Sequence, residues 1–361
     1  MRLTLASIAV ALLAGTAYLL LWPVPIQPVA WQAPANPGLT GVFATNDRLR
    51  AARPLGIGAH EGPEDIAPGP DGHLYATTLD GTILRIDARG AHSVYANTGP
   101  RPLGIEMDGD GTLIVANAFR GLQRIARDGS VTDILTEVDG RPLVYANDLA
   151  IGADGTIYFS ESSTRFAARP AGGTYDASLL DLLEHGGHGR VLEFRPSTGA
   201  TRVIVDGLNF ANGVAISADQ QFLLIAETGT YRILKHWLRG PRTGSTEVVL
   251  DELPGFPDNI NRGRDGRYWI GLVAPRVDFL DYASDKPALR RILQRLPQAF
   301  RPKAVPSSHV IAVSGDGDVL MDLQDPAARI PALTGVFETR DALYLSSLFG
   351  HEIGRLQKTD L

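Results

Sequence analysis

A short two-strand unit recurs six times along the chain, and this repeat limits the folds that the sequence can adopt. In each unit a short apolar stretch is followed by a turn and then by a strand of alternating character. The turn is often spelled Asp-Gly, as at Asp71-Gly72 and Asp110-Gly111, and this dipeptide is a strong hairpin signal. The six units open at Ile66, Ile105, Leu149, Val214, Ile260 and Val336.

Most units offer two further strands, for example residues 189–194 and 201–205, which gives four strands per unit. We therefore predict an all-β fold, a six-bladed β-propeller, over residues 50–361. The last unit offers three strands, so a segment near residues 53–59 is expected to supply the fourth and close the ring. A β-sandwich or two smaller β domains is the alternative, but neither accounts for so regular a repeat.

Residues 1–22 differ from the rest, because about 20 uncharged residues follow Arg2 and such a helix can cross about 30 Å of hydrocarbon. We predict a signal anchor here. By the positive-inside rule it leaves the following domain on the extracytoplasmic side, which is the periplasm in a bacterium. A cleaved signal peptide and a secreted protein is the alternative, since residues 15–17 resemble a cleavage site. Residues 23–49 contain several prolines and are expected to form a stiff stalk.

Composition excludes several functions. The 361 residues include 40 acidic and 34 basic side chains, and without a basic run nucleic acid is not an expected partner. The sequence contains no cysteine, which excludes disulfides, thiolate metal sites and a cysteine nucleophile. A Gly-x-Ser-x-Gly motif, the signature of one large class of serine hydrolases, is also absent from the sequence.

One column of the aligned repeat is rich in side-chain oxygen. Because equivalent positions of the innermost strands surround the axis of a propeller, this column predicts a ring of side chains. Carboxylate and amide oxygens suit Ca²⁺, with Mg²⁺ or Mn²⁺ as alternatives. The alternative without a metal is that Asn and Asp cap the turns before strands. The column consists of Glu64, Leu103, Asn147, Asn212, Asp258 and Thr334.

Within this column we predict metal ligands at Glu64, Asn147, Asn212 and Asp258. Leu103 and Thr334 are then expected to border a pocket. The following column contains Asp65, Asp148 and Asn259, which we expect behind the ligands or in turns, because side chains alternate along a strand.

Two insertions, residues 163–188 and 275–307, fall between the second and third strands of their units and are expected to cover the metal face. Their leucines occur at helical spacing, which predicts a partly helical lid over an apolar pocket. The alternative is that these faces rest on a bilayer, with Arg290, Arg291 and Arg295 near the headgroups. His185 and His188 in the first insertion are candidates for a general base in the pocket.

Several segments together resemble the strictosidine synthase-like family, which includes the adipocyte plasma membrane-associated proteins. The resemblance covers residues from about 50 to the end, together with the preceding apolar segment. It is carried by Gly62-Pro63-Glu64-Asp65, Arg101-Pro102-Leu103-Gly104-Ile105, Asn147-Asp148-Leu149, Phe210-Ala211-Asn212-Gly213-Val214, Ala226-Glu227-Thr228 and Pro254-Gly255-Phe256-Pro257-Asp258-Asn259-Ile260.

The resemblance implies a place in the wider superfamily of gluconolactonases and paraoxonases, whose propellers hold catalytic calcium. It assigns that role to Glu64, Asn147, Asn212 and Asp258. The histidine pair of paraoxonases has no counterpart here, since Leu103 and Asn117-Ala118 stand in its place. Glu338 corresponds to a glutamate with which true strictosidine synthases condense an amine and an aldehyde. The resemblance therefore makes Glu338 a possible pocket residue and this reaction a minor alternative.

The expected function is calcium-dependent hydrolysis of a small-molecule ester or lactone. The cation would polarise the carbonyl, and Asp258 or Glu64 would accept a proton from the attacking water. The alternative from another class is a propeller with structural calcium whose lidded face binds a partner or a lipid.

Overall fold

The structure is a computed structural model that describes residues 2–301 and 305–361, with side chains from residue 7 onward. Strand β1 (Arg53–Gly56) precedes blade 1. Blade 1 contains β2 (Ile66–Pro68), β3 (Leu74–Thr77), β4 (Thr82–Ile86) and β5 (His92–Asn97). Blade 2 contains β6 (Pro102–Met107), β7 (Leu113–Asn117), β8 (Gly121–Ile125) and β9 (Val131–Leu135). A two-stranded ribbon follows, with β10 (Glu137–Val138) and β11 (Arg141–Pro142).

The remaining blades continue in chain order. Blade 3 contains β12 (Ala146–Ile151), β13 (Ile157–Glu161), β14 (Gly189–Arg195) and β15 (Ala200–Leu208). Blade 4 contains β16 (Ala211–Ile216), β17 (Phe222–Glu227), β18 (Arg232–Trp237) and β19 (Thr246–Leu250). Blade 5 contains β20 (Gly255–Arg262), β21 (Tyr268–Pro275), β22 (Ser308–Val313) and β23 (Val319–Asp325). Blade 6 contains β24 (Leu333–Glu338), β25 (Ala342–Ser347) and β26 (Glu352–Gln357), with β1 as its outermost strand.

The sixfold repeat therefore folds as predicted, into six four-stranded antiparallel sheets. Strand β1 pairs with β26, with Arg53 opposite Arg355 and Gly56 opposite Glu352, so the predicted closure of the ring is confirmed. The buried core lies between neighbouring blades. For example, Ile114 and Leu122 of blade 2 pack with Leu149, Phe159 and Leu192 of blade 3. Each sheet covers the next, which leaves short outer edges.

The inner strand of five blades carries a β-bulge at the same place. The register with the second strand shifts between Pro102 and Ile105, and at the equivalent positions of the inner strands β12, β16, β20 and β24. A bulge inserts an extra residue and re-aims the side chains beside it. The residues at the shift are those of the ring column and of the column after it, so both lie near the axis.

The insertions form the helices of the lid. The first contains α2 (Ala168–Ala171) and α3 (Thr174–Glu184), and the second contains α4 (Asp278–Tyr282) and α5 (Pro287–Arg295). They connect β13 to β14 and β21 to β22, as predicted from the sequence. Short 3-10 turns cover Gly41–Phe43, Thr228–Thr230, Gln298–Phe300 and Lys358–Asp360.

The N-terminal part begins with helix α1 (Arg2–Leu21). Within the part of the chain that the structure describes, no helix is long and apolar enough to cross a membrane. Met1 and the side chains of residues 2–6 lie outside the described residues, and the anchor over residues 1–22 stays a prediction.

Residues 23–49 contain no α-helix among the elements described and lie against the propeller and its lid. Ile26, Phe43 and Leu49 are buried there. Val29 N donates to Glu184 O of α3 (2.8 Å), and Trp31 N donates to Ser284 O of the second insertion (3.1 Å). This segment therefore forms hydrogen bonds with both insertions.

Candidate metal and active site

The structure brings the four predicted ligands together at the floor of one cavity. Glu64, Asn147, Asn212 and Asp258 come from four different blades and all line it. They are 2%, 4%, 3% and 6% exposed, respectively. Asn212 Nδ2 donates to Asp258 Oδ1 at 2.6 Å, which joins blades 4 and 5 directly.

Hydroxyl groups fix the orientation of both amides. Ser162 Oγ donates to Ala211 O of the next blade (2.7 Å), and Thr228 Oγ1 donates to Pro257 O (2.7 Å). Because each hydroxyl has one proton and has already donated it, it can only accept from the neighbouring amide. Asn147 Nδ2 accordingly donates to Ser162 Oγ (2.7 Å) and Asn212 Nδ2 donates to Thr228 Oγ1 (3.1 Å). The amide oxygens therefore face away from these hydroxyls.

Three buried oxygens of the ring have no hydrogen-bond partner among the described residues: Glu64 Oε2, Asn147 Oδ1 and Asn212 Oδ1. The other carboxylate oxygen of Glu64 accepts from Asn259 Nδ2 at 3.2 Å. A buried polar atom without a partner costs about 1 to 3 kcal/mol, so such a cluster is unfavourable unless something binds it.

Hard oxygen donors of this kind fit a calcium ion. The described residues contain no group of three or more His, Cys, Asp or Glu side chains placed to hold a metal. The candidate set instead combines two carboxylates with two amide oxygens. The donor chemistry and the oxygens without partners therefore fit the predicted cation.

The carboxylates of the ring are held in a strongly desolvated place. Burial raises the pKa of Glu64 well above its usual range, and the nearby Asp258 adds to this rise. Burial also raises the pKa of Asp258 to about 7, against the opposing effects of Asn212 and Arg101. A cation bound between the two carboxylates would offset the cost of burying their negative charge.

The walls of the cavity come from the column two residues before the ring, which the sequence interpretation missed. Strand side chains repeat with a period of two, so this column faces the same side as the ring. Reading the repeat two positions earlier would have found it. Its cavity-lining members are Arg101, Tyr145, Phe210, Phe256 and Ala332.

Arg101 is the charged member of this column, and its side chain is buried. Its backbone is left-handed (φ 68°), its Nε donates to Thr174 Oγ1 of α3 at 2.6 Å, and its Nη1 has no partner among the described residues. Burial lowers the pKa of Arg101, and Glu64 opposes this effect. A buried guanidinium with a spare N–H beside the ring is suited to bind an oxygen of a substrate.

The cavity has a volume of about 400 Å³, and both insertions form its roof. Leu179, Leu182 and Leu183 of α3 face it from one side, and Leu280 and Leu293 of the second insertion face it from the other. The predicted lid over an apolar pocket is thus what the structure shows. Leu103 also lines the cavity, as expected.

The column after the ring fastens the blades to one another. Asp65 Oδ2 accepts from Ile105 N of blade 2 (3.0 Å), and Asp148 Oδ2 accepts from Val214 N of blade 4 (2.8 Å). Burial raises the pKa of Asp65 to about 6, although the Ile105 N–H opposes it, and burial also raises the pKa of Asp148. Asn259, in contrast, contacts the ring directly through Glu64.

Glycine follows the ring residue in blades 2, 4 and 6 because the neighbouring blade approaches closely. A Cβ on Gly213 would lie 2.3 Å from Ile260 N, and one on Gly104 would lie 2.5 Å from Asp148 Oδ1. These glycines allow the inner strands to come near enough for the contacts between blades.

Four pocket candidates do not lie where the sequence placed them. Thr334 is fully buried beneath the ring, where its Oγ1 donates to Glu64 O at 2.6 Å, and it does not line the cavity. His185 ends α3 in a left-handed conformation and stacks on Trp31 at 3.8 Å, away from the cavity. Burial lowers the pKa of His185 to about 3, so it is a poor proton acceptor near neutral pH.

His188 does not line the cavity either. Its Nε2 is hydrogen-bonded to Glu184 Oε1 at 2.7 Å. Glu338 is at the far end of β24 from Thr334. There it accepts from Trp269 Nε1 (2.8 Å) and Arg264 N (2.9 Å) and pairs with Lys358. Glu338 therefore does not line the cavity, where the resemblance to true strictosidine synthases had placed it.

Comparison with known proteins gives the same family as the sequence motifs. Models of the strictosidine synthase family and of the N-terminal part of strictosidine synthase-like proteins match residues 147–241 and 41–86. Adipocyte plasma membrane-associated protein of Gallus gallus is 34% identical over 97% of this chain and 88% of its own length. The chain belongs to this strictosidine synthase-like family.

Solved structures share the fold at lower identity. A gluconolactonase of Xanthomonas campestris superposes with a TM-score of 0.63 at 20% identity, over 91% of this chain and 99% of that one. The calcium-binding protein regucalcin of Agrobacterium tumefaciens superposes with a TM-score of 0.54 at 14% identity, over 82% and 93%. These likenesses show that this member of the family shares its fold with both proteins.

Proposed function

We propose that this protein hydrolyses esters or lactones with one calcium ion held by Glu64, Asn147, Asn212 and Asp258. The observation that carries the proposal is the set of three buried ring oxygens without partners at the floor of a lidded, apolar cavity. A calcium ion, when bound, polarises a substrate carbonyl and offsets developing negative charge.

The side chains of the cavity perform the remaining tasks. Asp258 accepts a proton from water as the water oxygen bonds to the carbonyl carbon. The bond from that carbon to the leaving oxygen then breaks, and the proton passes from Asp258 to this oxygen. Asp258 lines the cavity and is buried, so its carboxylate shares the water-excluded space with the substrate carbonyl. Glu64 is the second candidate for this role.

Arg101 and the lid orient and enclose the substrate. The free N–H of Arg101 can donate to an ester or lactone oxygen beside the ring, and Thr174 of α3 holds the guanidinium from the other side. The leucines of both insertions exclude bulk water from the carbonyl. Exclusion of water strengthens each electrostatic contact within the cavity.

Relatives support the proposal through their names. One structural neighbour is described as a gluconolactonase and another as calcium-binding, and the likeness to both is one of fold. Several relatives are named plasma membrane-associated. We extend the proposal to location: α1 anchors this protein, with the propeller on the extracytoplasmic side. Resistance of the full chain to alkaline extraction from membranes tests this, and release into the soluble fraction would contradict it.

Turnover with and without a chelator tests the catalytic proposal. The purified full chain is assayed with a panel of aryl esters and lactones, after EGTA treatment and after calcium is restored. We expect activity to disappear and return, and Asp258→Asn to lack activity while it keeps its melting temperature. Asp265→Asn, an exposed carboxylate change in the same blade, is the matched control and should behave as the parent.

If the parent binds calcium yet turns over no member of the panel, and Asp258→Asn lowers only the melting temperature, the catalytic proposal is wrong. Calcium would then be structural, and the lidded face would bind a partner or a lipid.

A further inference from the structure

The exposed aromatic side chains lie in three parts of the molecule. Among the large hydrophobic side chains that the structure describes as exposed, the aromatic ones are Tyr18, Trp22, Phe279, Tyr282, Phe300 and Phe349. Two of these belong to the end of α1 and its following residue, three to the second insertion, and one to the β25–β26 connection. Elsewhere, the outermost strands expose single aliphatic residues such as Val94 and Val248, which is ordinary for a soluble surface.

The aromatic residues of the propeller surround the cavity together with two aliphatic ones. We call Leu179, Phe279, Tyr282, Phe300, Val305 and Phe349 the rim. Leu179, Val305 and Phe349 line the cavity themselves, while Phe279 and Phe300 are next to the lining residues Leu280 and Arg301. Phe300 is 73% exposed and Tyr282 is 62% exposed. A group of exposed apolar side chains at the mouth of a cavity marks an interaction surface.

Helix α1 is fixed to the same lid. Arg295 at the end of α5 donates from Nε to Trp22 O (2.6 Å) and from Nη1 to Leu19 O (2.9 Å). Tyr18 Oη donates to Arg295 O at 3.0 Å. The two bonds from Arg295 satisfy carbonyls at and just after the C-terminal end of α1, where carbonyls otherwise have no helical partner. The neighbours of Arg295 in α5, Leu293 and Gln294, line the cavity.

The exposed part of α1 is itself apolar. Its exposed large side chains include Ile8, Val10, Leu12, Leu13 and Leu20, and water is an unfavourable surrounding for such a helix. The helix that needs an apolar environment is therefore hydrogen-bonded to the helix that roofs the cavity. Charged residues near the rim are of both signs, for example Asp278, Asp285, Lys286 and Arg291, so apolar contact rather than net charge sets the partner.

We propose that the rim rests on the surface of a lipid bilayer beside α1, so that the cavity opens toward lipid and receives esters or lactones dissolved in the membrane. This proposal rests on the anchor and the hydrolase activity proposed above. Aromatic side chains favour the interface between headgroups and acyl chains, which is where the rim would lie.

Site-specific labelling tests the docking without reference to activity. The chain has no cysteine, so Phe300→Cys and Tyr282→Cys each provide a single position for an environment-sensitive fluorophore. Val94→Cys, exposed on β5, is the matched control. With the full chain in phosphatidylcholine vesicles, we expect brominated lipid to quench labels at 300 and 282 but not at 94. If brominated lipid quenches the labels at 300 and 282 no more than the label at 94, the rim does not dock on the bilayer.

Kinetics test the route of the substrate. Phe300→Asp with Tyr282→Asp places charge on two exposed rim residues that do not line the cavity. For the chain in vesicles, we expect kcat/KM to fall about tenfold, equivalent to about 1.4 kcal/mol, for a long-chain ester that partitions into lipid. A short, water-soluble ester should be hydrolysed at the parent rate.

Equal rates of the parent and the double variant on both esters would overturn entry from the membrane. If the parent hydrolyses neither ester, the hydrolase proposal fails instead, and the quenching pattern still decides whether the rim contacts lipid.

Discussion

Blades 2 and 3 have the same backbone at the ring and opposite chemistry. In blade 3, Ser162 N donates to Tyr145 O, and in blade 2, Ala118 N donates to Arg101 O at the equivalent position. The side chains next to these bonds are Asn147 and Ser162 in blade 3 but Leu103 and Ala118 in blade 2. Blade 3 thus has a polar pair where blade 2 has an apolar pair. Because both members differ together, neither blade leaves a polar side chain of the pair buried without its hydrogen-bond partner.

The difference shows that the propeller supplies positions and that pairs of residues decide what each position does. Blade 4 repeats the polar pair as Asn212 and Thr228 and adds a second oriented amide oxygen. Blade 2 gives up a ring ligand and instead directs Arg101 into the cavity from two residues earlier. The Arg101 guanidinium, a hydrogen-bond donor, therefore lies at the same end of the axis as the ring oxygens that are candidate ligands for a cation.

Among the changes that separate blade 2 from blades 3 and 4, replacing Arg101 by methionine should give the largest effect on catalysis, because it removes the contribution of blade 2. We expect kcat/KM for a soluble ester to fall by about 10² to 10³, as for loss of one donor to a developing oxyanion. Arg120→Met, which removes an exposed arginine paired with Asp133 in the same blade, is the control. Activity of the Arg101 variant within twofold of the control would mean that Arg101 does not contact the reacting group.

Removing the hydroxyls that orient the amides should weaken the metal site of blades 3 and 4. For Ser162→Ala and Thr228→Val we expect calcium affinity to fall about 10- to 100-fold, because partners behind the ligands hold them in place. Isothermal titration of the full chain measures this. Thr77→Val is the matched control, since Thr77 Oγ1 donates to Leu103 O of the next blade (2.8 Å) but holds no ring amide. Equal losses in all three variants would assign the hydroxyls to stability alone.

Much of this site could be predicted from the repeat, because register places equivalent residues at equivalent heights on the axis. Glu64, Asn147, Asn212 and Asp258 were found in this way. The hydroxyls were not, since their role depends on a carbonyl of the next blade, 49 residues away for Ser162 and 29 for Thr228. Ser162 and Thr228 stand at equivalent positions of the repeat, but the spacing of residues does not show that their hydroxyls contact the next blade.

Asp65, Asp148 and Asn259 were expected behind the ligands or in turns. They do not line the cavity, and Asn259 contacts the ring residue Glu64 from outside it. The misplaced histidine has a local physical cause. His185 was expected to face the pocket, but its left-handed position after α3 directs the ring onto Trp31. The end of a helix is set by its packing, which the spacing of residues does not record.

The lid of blade 3, which blade 2 lacks, contains a carboxylate that should make stability depend on pH. Asp181 of α3 is fully buried, and neither oxygen has a hydrogen-bond partner among the described residues. Burial raises the pKa of Asp181 to about 7, and Glu184 adds to the rise while Ser163 and Arg165 oppose it. The native state thus keeps the proton to higher pH than the unfolded state does, so stability falls as pH rises from about 4 to about 7.

Asp181→Asn should remove the loss of stability that accompanies the rise in pH, because the amide does not ionise. We expect the variant to be more stable than the parent by about 1 to 3 kcal/mol near pH 8, with a smaller gain near pH 5. Calorimetric melting temperatures at both pH values measure the difference. Asp176→Asn, exposed on the same helix, should show no gain that grows with pH. A gain of the same size at both pH values would show that Asp181 does not titrate in the native lid.

The smallest effect is expected in blade 6, which supplies to the ring only the hydroxyl of Thr334 behind Glu64. Burial alone would raise the pKa of Glu338, but the contacts with Lys358, Arg264 N and Trp269 together hold it below its usual value. Glu338→Gln can keep the bonds from Trp269 and Arg264 and loses the ion pair with the partly exposed Lys358. We expect a loss of about 1 kcal/mol in the free energy of unfolding and an unchanged kcat. Lys358→Met removes the same pair from the other side and should match it, whereas a fall in kcat for Glu338→Gln alone would return Glu338 to the chemistry of the site.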